Sequence, residues 1–224
     1  KQDMKVSIHF VFEMFWTGLS MALMSAIYNL GSVILQSSIN ALGSVYIAAQ
    51  VGGRKLAELF YVPGIALGTS AATFSSQNYG AGKHSRIAKG AKSGIFMYFC
   101  WWLVALAFVI FLAPAAVRFI TGSSNPEVIA NGALYLRIGI PMIPPMAVLV
   151  ILRNILQGMR RPGMPLFCSC LELIGKTVFA VWLVPAFGYP AVCVCEPVTW
   201  VICCAVIAVA VFRIRGEFVD ISSL

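Results

Sequence analysis

Apolar residues fill this chain in long runs, at roughly 12–38, 45–76, 94–115, 128–157, 164–185 and 190–212. Short breaks part them: 41–44, the basic stretch 80–93, 121–126, 160–163 and 187–189. The runs lack period-two alternation and exceed the length of barrel strands, so strands are not expected. About 20 apolar residues cross the hydrocarbon core as a helix, and a helix satisfies its own backbone groups there. The pattern predicts an all-α membrane protein, with residues 1–224 forming one unit of six transmembrane helices.

Within the runs, polar positions recur on helical faces. Ser25, Asn29, Ser32, Gln36 and Asn40 are spaced four, three, four and four, which aligns them on one side of the first helix. In lipid such a stripe faces either a neighbouring helix or a wet cavity, and two carboxamides a turn apart favour the cavity. Gly64, Gly68, Ala72 and Ser76 follow at four-residue intervals on the second helix, a face on which helix backbones approach closely. Pro141, Pro144 and Pro145 interrupt the fourth run. Their missing donors leave two readings open: a kink healed by neighbours, or a broken helix whose freed groups line a site.

Composition sharpens the membrane reading. Of 224 residues, 60% are hydrophobic and 11% charged, against about 45–50% and 25% in soluble domains. The net charge is +8, but its placement matters more. Lys1, Lys5, Lys83, Arg86, Lys89, Lys92, Arg160, Arg161, Arg213 and Arg215 fall on one side of a six-span layout, against Arg118 on the other. The positive-inside rule then puts both termini in the cytoplasm of a multi-pass cell (inner or plasma) membrane protein. The positive charge is thus a topology signal, and no nucleic-acid partner is expected. The lipid bilayer is the first partner. The chain opens on Lys1 without a basic, apolar, small-residue leader, so a signal peptide is not expected and a piece or half of something longer is.

Charges inside the runs are costly, about 2.5–3.5 kcal/mol at mid-helix, and so mark partners or water. Arg54 and Glu58 are four apart, as are Glu172 and Lys176; Arg153 and Glu196 stand alone, and Lys55 and Arg137 also lie within runs. Counting about 1.5 Å per residue from the turns, Arg153, Glu172, Lys176 and Glu196 alternate in sign across the membrane. They are expected to form one connected site with Glu172 held by Lys176, either as a static ladder or as a group that exchanges partners during transport. Asn29, Gln36, Asn40, Arg153, Glu172, Lys176 and Glu196 are therefore the candidate substrate or ion pathway.

Catalysis finds no support. The two histidines, His9 and His84, sit outside the span interiors, and there is no zinc motif, Ser/His pair or phosphate-binding loop. The seven cysteines lie in apolar runs. Cys-x-Cys places its thiols on different helical faces, so they read as small buried residues, not metal ligands. No cofactor is expected.

Specific segments carry a resemblance. Gln36-Ser-Ser-Ile-Asn40 precedes Gly43-Ser-Val-Tyr-Ile-Ala-Ala-Gln50; a helix with Pro63 and Gly68 then closes on Gln77-Asn-Tyr-Gly-Ala-Gly-Lys83. Later come Leu152-Arg-Asn-Ile-Leu-Gln-Gly-Met159, Glu172-Leu-Ile-Gly-Lys176 and Cys195-Glu-Pro197. The order resembles the multidrug and toxic compound extrusion (MATE) transporters, in particular the C-terminal six-helix lobe of bacterial members. The resemblance implies a Na+- or H+-coupled antiporter exporting cationic or amphipathic xenobiotics, built of two six-helix lobes that rock about a cleft. It implies an N-terminal lobe, or a second copy, as partner. The chain departs from the family where members carry carboxylates on this lobe's first and fourth helices: 25–29 and the surroundings of Met146 have none. Two alternatives remain, a lipid-linked sugar flippase of the same superfamily and a non-transporting membrane subunit.

Overall fold

The computed structural model describes residues 7–214, so Lys1, Lys5 and Arg215 of the charge count lie outside the described residues. Within them the chain folds into helices α1 (Ile8–Leu42), α2 (Ser44–Gly80), α3 (His84–Thr121), α4 (Pro126–Gly139) and α5 (Ile143–Gly158). Then come α6 (Gly163–Val178), α7 (Val184–Phe187) and α8 (Tyr189–Arg213). A 3₁₀ turn, Ile140–Met142, fuses α4 to α5, and a π turn, Phe179–Leu183, fuses α6 to α7. The result is six rods, one for each apolar run. Two joints are a single glycine, Gly43 (φ 109°) and Gly188 (φ 66°), backbone values that a Cβ makes costly. Tight joints fold successive rods back on one another. The basic stretch 80–93 is not the break it was expected to be: Ala81–Lys83 alone turns the chain, and α3 already starts at His84.

Five rods are long and apolar enough to cross a membrane: the first from Met14 to Leu42, then α3, α4–α5, α6–α7 and α8. The exception is α2, which holds Arg54, Lys55 and Glu58. Its packing explains how it is tolerated, since it lies against α3, α4 and α5. Buried Gly64 and Gly68 permit this: a Cβ on Gly64 would collide with the Tyr98 ring, and one on Gly68 would sit 2.7 Å from Asn154 Nδ2. Ala72 meets Gly158 through its carbonyl. The small-residue face is a packing face as far as Ala72; Ser76, expected to continue it, is exposed and Ser75 is buried instead. Away from this core the bundle is greasy on its outside, with Phe111 79% and Phe119 86% exposed on α3, as lipid contact requires.

The proline cluster resolves into a healed kink. Pro144 has no N–H for the Ile140 carbonyl one turn back, and the indole of Trp102 on α3 donates to that oxygen at 3.0 Å. In the π turn the Ala180 carbonyl accepts from Ser38 Oγ of α1 at 2.8 Å. Of the cysteines, Cys168, Cys193, Cys195 and Cys203 are buried as expected, Cys170 and Cys204 partly so, and Cys100 is exposed.

Candidate functional site

Charge and aromatic side chains converge on a central cavity of about 280 Å³. Spacing on α2 supplies one wall: Arg54, Glu58, Tyr61 and Ile65 recur at four, three and four residues and all line it. Arg54 Nε lies 3.3 Å from Glu58 Oε1, a half-exposed pair. Arg153 of α5 and Glu172 of α6 face it from the other side, joined by one contact, Nη2 to Oε1 at 3.4 Å. The same Nη2 donates to Ser169 Oγ at 3.2 Å. From α8, Glu196 Oε2 accepts from the Tyr135 hydroxyl at 3.1 Å. Tyr61 and Trp200 meet edge to face, centroids 5.7 Å apart. Two guanidinium groups against three carboxylates leave the lining with an excess of one negative charge when all are ionised.

Lys176 does not hold Glu172, contrary to expectation. It is 3% exposed, and its Nζ donates to Ser32 Oγ at 2.9 Å and sits 3.9 Å over the Tyr28 ring. The four-residue spacing put Lys176 and Glu172 on neighbouring turns of one face. However, the α1–α6 contact draws the ammonium toward α1, while the α5–α6 hairpin gives Glu172 to Arg153. Glu172 Oε2 and Arg153 Nε remain buried without a hydrogen-bond partner.

The polar stripe of α1 divides. Ser25 and Asn29 line a second chamber of about 310 Å³ beside Arg153, and Tyr28 and Arg153 border both chambers. Ser32 serves Lys176. Gln36 Nε2 donates to Asn40 Oδ1 at 2.9 Å, and neither residue lines the central cavity. Of the seven candidate residues, Arg153, Glu172 and Glu196 line the centre, Asn29 lines the side chamber, Lys176 stands behind Tyr28, and Gln36 and Asn40 pair apart. Sequence reasoning missed the aromatic walls Tyr28, Tyr61, Tyr135 and Trp200. It saw Arg54 and Glu58 as a pair without assigning them to the pathway, though their spacing with Tyr61 was a usable signal. Among the described residues no three His, Cys, Asp or Glu are close enough to hold a metal ion.

Comparison with known proteins gives one family match and several structural ones. The family model MatE matches residues 20–182. No curated protein matches the sequence. An inward-facing conformation of a multidrug resistance MATE family transporter of the MOP superfamily superposes with a TM-score of 0.77 at 15% identity, covering 96% of this chain and 50% of that one. An outward-facing conformation of such a transporter gives 0.70 at 16%, covering 93% and 46%. A MOP superfamily transporter from Pyrococcus furiosus Vc1 (DSM3638), whose reversed pocket polarity suggests a different function, gives 0.67 at 17%, covering 93% and 46%. At these identities the likeness is one of fold, and the chain spans about half the length of the structures it matches.

Proposed function

This chain belongs to the MatE family of multi-pass membrane transporters, and on that premise we propose that it forms the C-terminal lobe of a cation-coupled multidrug efflux antiporter. The partner is an N-terminal six-helix lobe or, less favoured, a second copy of this chain. Substrates are small cationic or amphipathic compounds, and the coupling ion is Na+ or H+. The observation that carries this reading is the central cavity, with its one excess carboxylate and aromatic walls. Carboxylates attract a cation, and Tyr and Trp faces bind one by cation–π contact, worth about 0.5–2 kcal/mol each. Glu196 is the pivotal group because its carboxylate has the Tyr135 phenol as partner and no cation within ion-pair distance among the described residues.

Transport decides it. Proteoliposomes containing the complete two-lobe protein are expected to move a fluorescent organic cation against an imposed Na+ or pH gradient. Glu196→Gln is expected to cut that rate at least about tenfold, the effect of losing one charged contact. A demonstrably monomeric preparation of this chain should transport nothing, since rocking between two states requires two bodies. Wild-type rates in Glu196→Gln, or efflux by the monomer, would refute the reading. Uptake of a lipid-linked sugar in place of the organic cation would favour a flippase.

A further inference from the structure

The seam between α2 and α3 stands open near their turn, on a side of the bundle that the transport reading leaves unused. Small side chains, Ala71 of α2 with Gly90 and Gly94 of α3, leave an apolar groove of about 230 Å³ between Phe74 and Met97. A Cβ on Gly90 would come within 2.6 Å of the Phe74 ring, so glycine lets that ring lie against the α3 backbone as one wall. Ala71 and Phe74 lie on roughly the opposite face of α2 from Arg54, Glu58 and Tyr61 of the central cavity. No residue of α3 lines either chamber.

The mouth of the groove is basic. Lys83, Arg86, Lys89 and Lys92 recur every third residue, and all four are exposed. Arg86, Gly90, Ser93 and Met97 are four, three and four apart and share one face of α3. Arg86 therefore stands one turn above the glycine, and Lys89 one turn above Ser93. No Asp or Glu occurs between Glu58 and Glu127, so neither helix brings a carboxylate to this end. Just past Ser93 the exposed side chains become apolar, Phe96 67% and Met97 58% exposed. The boundary between headgroups and hydrocarbon thus falls at the groove.

We propose that this groove is a binding site for an anionic phospholipid, its phosphate on Arg86 and Lys89 and one acyl chain laid along Phe74 and Met97. Ammonium and guanidinium groups are donors only, and the guanidinium fork matches two phosphate oxygens. Clusters of four or more basic residues beside a span attract anionic lipid. A soluble anion would leave the apolar walls uncovered, and a neutral lipid brings no net charge to the cations. The positive-inside bias asks for basic residues near a cytoplasmic turn, but it sets no position around the helix. Their alignment over an open groove is what points to a bound lipid.

The full chain in neutral detergent micelles is titrated with dioleoylphosphatidylglycerol or dioleoylphosphatidylcholine, and bound lipid is counted by native mass spectrometry. Phosphatidylglycerol is expected to bind about thirtyfold more tightly, from two cations worth about fivefold each. Arg86→Gln with Lys89→Gln should abolish that preference and leave phosphatidylcholine binding unchanged. Ser93→Trp, an exposed position that lines the groove, fills it without altering charge and should weaken both lipids. Arg160→Gln with Arg161→Gln, at another turn of the basic end, should change neither. Equal binding of the two lipids by the unaltered chain overturns the assignment, as does undiminished phosphatidylglycerol binding by Ser93→Trp. An equal loss of preference in the Arg160 and Arg161 variant also overturns it, since the attraction would then be one of overall charge.

Discussion

At the scale of single residues, two buried charges, Glu172 and Lys176, and the partly buried Arg153 make unequal demands. Glu172 and Arg153 answer each other, so removing one strands the other in a low-dielectric interior, a loss of about 3–5 kcal/mol. Lys176 is held by a hydroxyl and an aromatic face, and no carboxylate depends on it within ion-pair distance. Glu172→Gln is therefore expected to lower the unfolding midpoint of the purified protein markedly. Lys176→Met, which fills similar volume without a charge to desolvate, should leave the midpoint unchanged or raise it. Equal damage from the two variants would restore the Lys176–Glu172 pair that spacing alone suggested. The contrast also explains what was legible. Arg153, Glu172 and Glu196 stand out in a sequence because charge is conspicuous in an apolar run. Tyr61 and Tyr135 do not, because an aromatic residue lining a cavity looks the same as one filling a core. Partner choice is harder still: Lys176 reaches Ser32, 144 positions away, and no local spacing encodes that.

At the scale of elements, hydrophobic run length marked the rods, while their ends were set by backbone chemistry that hydropathy does not register. The run read as 94–115 is a helix over His84–Thr121, because Arg86, Lys89 and Lys92 are good helix formers whose charge ends an apolar window without ending a helix. Pro144 shows the converse. It breaks the i→i−4 ladder without ending the rod, since the Ile140 carbonyl accepts from the Ile143 N–H of the 3₁₀ turn and from the Trp102 indole. A double-mutant cycle tests this account. Trp102→Phe should destabilise the protein by about 0.6–1.7 kcal/mol, the range for such bonds in membranes. In a Pro144→Ala background, where position 144 adds a second backbone N–H to the one Ile143 already gives Ile140, the same change should cost less. Equal costs in the two backgrounds would mean that the indole bond is incidental.

At the scale of the whole molecule, the distribution of basic residues orients the bundle. Short turns fold the six rods back and forth, so Lys83, Arg86, Arg160, Arg161 and Arg213 lie toward one end and Arg118 toward the other. Lys and Arg near span ends are retained on the cytoplasmic side during insertion, and short loops obey this rule best. The connections here are of that kind, the longer of them spanning 122–125 and 159–162. Orientation is thus expected to follow the charge, with the 122–125 turn outside. A single cysteine replacing Ser124, which is exposed, should react in intact cells with a membrane-impermeant maleimide. One replacing Ser85, next to Lys83 and Arg86, should react only after permeabilisation. For the assay the native Cys100, exposed on α3, is replaced by serine so that background labelling does not blur the comparison. Labelling of Ser85→Cys and not Ser124→Cys in sealed cells would invert the molecule.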